Sequence, residues 1–133
     1  MKAGFKFRLF PTKAQETRLL KTLDECQWLY NHFLEQRIKT YKETGKGLTY
    51  YDQQNSLPHL KKERPSLKIV YSSTLQDVAR RVDLAFHNFY RKVRTKKKPG
   101  YPRFKSKGRY HSFTFPKIDS SCQPISNDCI KMF

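Results

Sequence analysis

Between positions 19 and 41, apolar side chains recur at spacings of three and four residues: Leu19, Leu23, Cys26, Tyr30, Phe33, Leu34, Ile38 and Tyr41. This spacing places them along one side of an α-helix, so it predicts an amphipathic helix of about 30 residues. Thr12 and Gln15 have the spacing of a capping box at its start, and Gly45 is typical of the position just after a helix ends. The pattern predicts a helix that is long for a globular domain.

A second apolar stripe follows Ser72 and Ser73, either of which could cap a helix. Its members share one helical face: Leu75, Val78, Ala79, Val82, Phe86, Phe89 and Val93. Between the two stripes, the sequence predicts a short helix from about Thr49, interrupted near Pro58 and closed at Pro65. The middle of the chain is therefore expected to be helical.

Both ends of the chain alternate instead with a period of two. Phe5, Phe7 and Leu9 lie opposite Lys6 and Arg8, and Phe113 and Phe115 alternate with Ser112 and Thr114. This alternation favours half-buried strands, and a turn at Asn127–Asp128 leads into a last apolar strand ending at Phe133. We expect the first and last strands to pair, which gives an α+β chain with a helical insertion between the two halves of a β-structure.

The charge balance limits the partners of this chain. Its 133 residues are about one domain long and hold 28 Lys and Arg against 11 Asp and Glu, a formal net charge of +17. Such a field favours nucleic acid or an anionic membrane. No apolar run approaches the ~20 residues of a membrane span, and the start has no hydrophobic signal core, so we expect a cytoplasmic protein with no membrane partner.

No catalytic centre is predicted. The acids are scattered, the four His residues lack ligand spacing, and "GKG" lacks the strand and the Lys-Ser/Thr of a phosphate loop. Cys26 lies in a helical apolar pattern, and the Cys122–Cys129 spacing is not that of a zinc knuckle. We therefore expect no metal and no cofactor in this chain.

One segment is strongly basic. No acid occurs between Asp83 and Asp119, while Lys and Arg occur eleven times. The candidates for contacts with a nucleic-acid backbone are Arg80, Arg91, Lys96, Lys97, Lys98, Arg103, Lys105, Lys107 and Arg109, and the candidates for base stacking are Tyr101, Phe104 and Tyr110. Lys and Arg release counterions from phosphates, and aromatic faces stack on unpaired bases. The alternative is a solvated basic linker.

The polar side of the second predicted helix presents Ser72, Gln76, Arg80, Asn88 and Arg91. A Gln side chain can bond to the adenine edge in a major groove, and nearby Ser or Lys can position phosphates. A solvated helix face is the alternative interpretation of the same pattern.

Four stretches together resemble the amino-terminal part of TnpB (OrfB) proteins, the RNA-guided DNA endonucleases of insertion sequences: "KFRLFPTKAQ", "WLYNHFLEQRIKTYKETGKGLTY", "LQDVARRVDLAFHNFYRKV" and "GYPRFKSKGRYHSFTF". The resemblance implies that residues 1–11 are the first strand of a wedge domain, and that 12–95 form a helical recognition lobe, often described as helix-turn-helix. It also implies that 96–133 hold the basic segment and returning wedge strands. The implied fold is thus a predominantly helical recognition lobe inserted between the strands of a split, incomplete wedge-type β-barrel.

The resemblance further implies a role in reading a short DNA motif beside the target for Tyr50, Ser72, Gln76 and Thr114, although some relatives carry Lys at the position of Ser72. The basic segment would then lie along the guide-RNA/target heteroduplex or the guide scaffold. The implied partners are guide RNA, target DNA and the remainder of the nuclease supplied in trans, in the nucleoid of a bacterium or archaeon.

The family's RuvC-like nuclease domain and zinc ribbon are expected beyond Phe133, so we do not expect this chain to cut DNA alone. It would be a truncated reading frame, a fragment or a decayed element. Two other functions stay open at this point: a complete small nuclease or transposase, and a stand-alone basic protein that binds DNA or ribosomal RNA.

Overall fold

The computed structural model describes residues 2–116, 122–124 and 129–132. In this part of the chain the order of elements is α1 (Lys13–Thr44), α2 (Tyr50–Asn55), α3 (Leu57–Glu63), a 3-10 helix (Pro65–Ile69), α4 (Ser72–Arg94), β1 (Cys122–Pro124) and β2 (Ile130–Met132). All helices of the described residues therefore fall within 12–95. None of these helices combines the length and the apolar character that a membrane span requires.

The long helix α1 begins and ends where the sequence predicts. The Thr12 backbone N–H donates to Gln15 Oε1 at 2.9 Å, and the Gln15 N–H donates to Thr12 Oγ1 at 3.4 Å, which completes the capping box. Gly45 follows the helix with φ of 72°, in the left-handed region that favours glycine, and its N–H donates to Tyr41 O at 2.8 Å.

The core lies between α1 and α4, with α2, α3 and the 3-10 helix closing one side. Its buried side chains come from α1 (Cys26, Leu29, Tyr30, Phe33, Leu34), from α4 (Leu75, Val78, Ala79, Val82, Phe86) and from the closing segments (Leu57, Leu60, Leu67, Val70), with Tyr110 added by the loop after α4. The central parts of both predicted stripes thus face each other, whereas Tyr41 and Val93 at their ends are exposed. Burial of such side chains stabilises a fold by about 1.5–3 kcal/mol each.

Of two local details, one differs from the predictions and one agrees with them. Tyr71 occupies the N-cap of α4 without a side-chain cap, so the predicted capping by Ser72 or Ser73 is wrong. The interruption near Pro58 is confirmed, because α2 ends at Asn55 and α3 begins at Leu57. Pro58 lies in the first turn of α3, where its missing N–H costs no helical hydrogen bond.

The predicted split wedge-type β-barrel is wrong. Residues 2–11 form no strand, and Phe5, Phe7 and Phe10 are 81%, 80% and 85% exposed. Residues 111–116 also form no strand. The β-structure of the described residues is a single antiparallel ladder of three residues per strand, with Gln123 opposite Lys131. The predicted turn at 127–128 and residue 133 lie outside the described residues.

The physical reason is that period-two alternation favours extended backbone, whereas a strand forms only beside a second strand that supplies the ladder hydrogen bonds. Among the described residues, no such strand lies beside residues 2–11. The core is instead filled by helical side chains. Phe113 packs against that helical core, and the Phe115 ring lies 6.3 Å from the Tyr71 ring.

Candidate nucleic-acid interface

Basic residues of the last turn of α4 and of the loop after it lie on the surface as a group. Nine of them are exposed: Arg91, Lys92, Arg94, Lys96, Lys97, Lys98, Arg103, Lys107 and Arg109. We call these nine residues the basic surface. None of them takes part in any of the ion pairs found among the described residues. The surface therefore carries a concentration of positive charge that acidic side chains of the described chain do not offset.

The backbone of this segment is fixed at two places. At the end of α4, the Thr95 N–H donates to Arg91 O at 3.0 Å, and Lys96 adopts a left-handed φ of 56°, which turns the chain away from the helix. Further on, Lys105 O accepts from Gln27 Nε2 at 2.7 Å and from Asn31 Nδ2 at 2.8 Å, while the Lys105 N–H donates to Asn31 Oδ1 at 2.8 Å. The loop is therefore anchored to α1.

The Lys105 side chain does not belong to the exposed group. Its ammonium lies 5.1 Å from the centre of the Tyr30 ring and 5.8 Å from that of Tyr110. Both distances fit cation–π contacts. Lys105 thus holds the loop against the core, whereas the sequence suggested a contact with a nucleic-acid backbone.

The three candidate stacking rings have different surroundings. Phe104 is 53% exposed, and Tyr101 is 50% exposed with its ring centre 5.1 Å from Phe89. Tyr110 is only 3% exposed, lies 5.7 Å from Tyr30, and has a hydroxyl whose pKa is raised by burial. Tyr110 is a core residue and has no free face for a base, which corrects its predicted role.

Two of the predicted motif-reading residues share a cavity of about 260 Å³ at the start of α4. Ser72 and Gln76 line it from α4, and the facing wall contains Gln54, Asn55, Leu57, Pro58 and Lys61. Lys61 Nζ donates to Ser72 Oγ at 2.7 Å. The cavity thus combines amide, hydroxyl and ammonium groups, which can donate to and accept from base edges or phosphates.

Tyr50 and Thr114 are held beside α4 by neighbouring arginines. The Arg80 guanidinium, one helical turn beyond Gln76, lies 5.6 Å from the centre of the Tyr50 ring. Arg81 Nη2 donates to Thr114 Oγ1 at 2.8 Å. Neither Tyr50 nor Thr114 lines the cavity that contains Ser72 and Gln76.

Arg81 and Lys61 are site residues that the sequence analysis missed. Arg81 pairs with Asp77 at 3.1 Å and also donates to Ser112 O at 2.7 Å, so it fastens the loop onto α4. The Asp77–Arg81 spacing of four residues was an available signal. Lys61 precedes Lys62 at the end of α3, a pattern that is typical of a solvated helix end, and only the fold places it at Ser72.

The described residues do not assemble a metal-binding cluster. They contain no group of three His, Cys, Asp or Glu side chains that could hold a metal ion. Burial raises the pKa of the Cys26 thiol to about 12, which keeps the thiol protonated and unreactive at neutral pH.

Comparison with known proteins identifies the family. The family model for the helix-turn-helix domain of OrfB proteins matches residues 1–46. A Streptomyces pristinaespiralis protein named "Putative RNA-guided DNA endonuclease" is 34% identical over 109 residues, which cover 80% of this chain and 26% of that protein. The chain belongs to the TnpB (OrfB) family. An Escherichia coli protein with the same name and the suffix InsQ is 28% identical to this TnpB-family chain over 116 residues.

This TnpB-family chain spans about a quarter of the length of these curated relatives, 26% and 28%. The two matches cover 80% and 86% of this chain. Within the part matched by the helix-turn-helix model, the described residues form one helix, α1, and residues 2–11 before it are neither helix nor strand. The sequence matches confirm the family resemblance inferred from the sequence.

Proposed function

We propose that this TnpB-family chain binds nucleic acid, with guide RNA and target DNA as its partners. In this proposal the basic surface holds the phosphate backbone, and the cavity around Ser72 and Gln76 reads a short DNA motif beside the guide-paired target. The observation that carries the proposal is the set of nine exposed cations without acidic partners in the described chain. The proposal concerns binding and gives the described residues no role in cleavage.

Physical chemistry favours this use of the basic surface. Each Lys or Arg that neutralises a phosphate releases a counterion, and this term supplies most of the affinity in non-specific binding. The like charges of this surface repel one another, and a bound polyanion would relieve that repulsion. The relatives named as RNA-guided DNA endonucleases support DNA and RNA as the polyanions.

The salt dependence of binding tests the backbone contacts. We expect a clearly negative slope of log K against log salt concentration for a duplex DNA and for a guide–target heteroduplex. Replacing Lys96, Lys97 and Lys98 together by Gln should make the slope for duplex DNA less steep by up to about 3, since each phosphate contact contributes about 0.9. Fluorescence anisotropy over a salt series measures the slope.

The matched control replaces Lys13, Lys21 and Lys62 by Gln. These lysines are exposed and lie outside the basic surface. Their replacement lowers the net charge of +17 by the same three charges. Equal changes in slope for the two triple variants would show that only net charge matters. A wild-type slope near zero would overturn the proposed function.

Motif reading is the second part of the proposal and is supported by the cavity at the start of α4. Gln76 presents an amide that can bond to an adenine edge in two places, and such a pair discriminates against the wrong base by about 1–3 kcal/mol. Lys61 and Ser72, joined at 2.7 Å, place a positive charge beside that amide. The amide would specify the base while the ammonium positions a phosphate.

The corresponding variant is Gln76→Ala. We expect the affinity ratio between the preferred and the least preferred flanking motif to fall about tenfold, with the salt slope unchanged. Competition binding with a pool of duplexes randomised at the flanking positions measures this ratio. Asn88→Ala, which removes an exposed amide elsewhere on α4, is the control. Retention of the full motif preference by Gln76→Ala would exclude the reading role.

A further inference from the structure

A second and larger cavity of about 560 Å³ opens between the end of α1, the start of α2 and the second half of α4. Seven aromatic residues from these elements and the following loop line it: Tyr41, Tyr50, Tyr51, Phe86, Phe89, Tyr90 and Tyr101. We call this cavity the aromatic cleft. The cavity that contains Ser72 and Gln76 has none of these aromatic residues in its lining.

The rings of the aromatic cleft support one another and leave open faces. Tyr101 packs edge-on against Phe86 at 5.8 Å and Phe89 at 5.1 Å, and Tyr90 lies 5.5 Å from Phe89. At the mouth, Tyr41 is 60% exposed and Tyr90 is 49% exposed. The inner rings are thus positioned by packing, while the outer rings remain accessible to a planar ligand.

Polar groups are also part of the lining. Arg37 Nη2 lies 2.9 Å from Asp83 Oδ1, and Asp83 Oδ2 lies 3.1 Å from His87 Nε2. Thr49 adds a hydroxyl to the lining. A few polar groups among aromatic walls are typical of sites that bind a flat heterocycle and fix its orientation.

The charges around the aromatic cleft indicate what its ligand is attached to. Arg91 follows the lining residue Tyr90, and Lys42 and Lys46 lie in the segment that joins Tyr41 to Gly47, with Glu43 as the one acid there. The loop that carries Tyr101 also carries six of the nine residues of the basic surface. A ligand on a phosphate-bearing strand would satisfy both the rings and the cations, whereas an apolar peptide would leave the cations unused.

We propose that the aromatic cleft binds an unpaired nucleobase of the strand held by the basic surface. The inference rests on the proposed nucleic-acid binding and adds a separate site to it. Stacking on an aromatic ring contributes about 1–3 kcal/mol per base and tolerates any base, because every base has a π-face. The cleft therefore selects unpaired over paired nucleotides, independently of the motif read at Gln76.

The test uses DNA that carries the fluorescent base 2-aminopurine at one central position, either in a single strand or paired in a duplex. We expect wild-type protein to quench the fluorescence of the unpaired base and to leave that of the paired base almost unchanged. Replacing Tyr41 and Tyr90 together by Ala should weaken binding of the single strand about tenfold or more and abolish the quenching. The salt slope should stay the same.

Two further variants separate stacking from other effects. Tyr41→Phe combined with Tyr90→Phe keeps both rings and should restore quenching and affinity. Phe7→Ala combined with Phe10→Ala removes two exposed rings outside the cleft, 80% and 85% exposed, and should bind as wild type does.

The outcomes distinguish this inference from the proposed function. Salt-dependent binding by the wild type without quenching of the unpaired base, or equal quenching by the Ala double variant, overturns the cleft as a base site while leaving nucleic-acid binding intact. An absence of salt-dependent binding overturns the proposed function and the inference together. The wild-type fluorescence decides the question even where a variant fails to fold.

Discussion

At the scale of single residues, Arg37 determines how three helices meet. It is only 8% exposed, and its Nε donates to Gln53 Oε1 at 2.8 Å while its Nη2 pairs with Asp83 at 2.9 Å. Gln53, itself 1% exposed, also donates from Nε2 to Phe33 O at 2.9 Å. A buried charge is costly unless it is paired and hydrogen-bonded, so this network makes the approach of α2 and α4 to α1 specific.

Arg37→Met tests this role. The variant keeps an unbranched side chain in α1 but leaves Gln53 and Asp83 without their shared partner, so we expect the free energy of unfolding to fall by about 2–4 kcal/mol. Urea unfolding followed by circular dichroism measures the change.

Lys39→Met is the matched control for Arg37→Met. It removes another α1 cation, whose ion pair with Glu35 is exposed, and should cost less than about 1 kcal/mol. Equal stability of the two variants would show that the buried network does not contribute.

At the scale of elements, the sequence predicted the helices well because their signals are local. The apolar spacing, the Thr12–Gln15 pair and Gly45 all lie within the helix that they define, and α1 runs from Lys13 to Thr44. The same holds for α4, which begins at Ser72 and places five of the seven predicted stripe residues in the core, while Phe89 is half-buried and Val93 is 49% exposed.

The strands predicted at Phe5–Leu9 and Ser112–Phe115 were wrong because a strand depends on a distant partner, whereas the last predicted strand is confirmed by β2 (Ile130–Met132). Phe5 and Phe7 alternate correctly, yet no described strand lies beside them. Lys105 and Tyr110 were assigned to nucleic acid for a similar reason: their neighbours in the chain are basic, whereas their neighbours in space are Tyr30, Gln27 and Asn31. Composition alone cannot show which members of a basic run are anchored.

In the candidate site, too, the features that depend on local sequence were predicted and those that depend on packing were not. The exposure of Lys96, Lys97 and Lys98 followed from a run of charge that could not be buried. The aromatic cleft could not be predicted, because its rings come from α1, α2, α4 and the loop, and each ring by itself matches a core or surface position. Only the packing of α2 against α4 brings Tyr51 and Tyr90 into one lining.

At the scale of the whole molecule, charge is separated between two regions. The six ion pairs of the described residues all lie between Glu25 and His87, within the helical body. Five acids of this stretch, Glu25, Glu35, Glu63, Asp77 and Asp83, take part in these pairs, and the basic surface carries much of the excess that gives +17. Folding brings these like charges together, which costs free energy through self-repulsion.

Salt should therefore act on folding and on binding in opposite directions. Raising NaCl from about 0.05 M to about 0.5 M shortens the Debye length from roughly 14 Å to roughly 4 Å, so the self-repulsion of the folded chain weakens. We expect Tm to rise by about 3–6 °C, equivalent to about 1 kcal/mol, while affinity for DNA falls. Differential scanning fluorimetry without nucleic acid measures Tm.

The variant with Lys96, Lys97 and Lys98 replaced by Gln carries less repulsion between like charges, so its Tm should rise less with salt. A Tm that falls with salt would mean that the ion pairs of the helical body outweigh the repulsion of the basic surface.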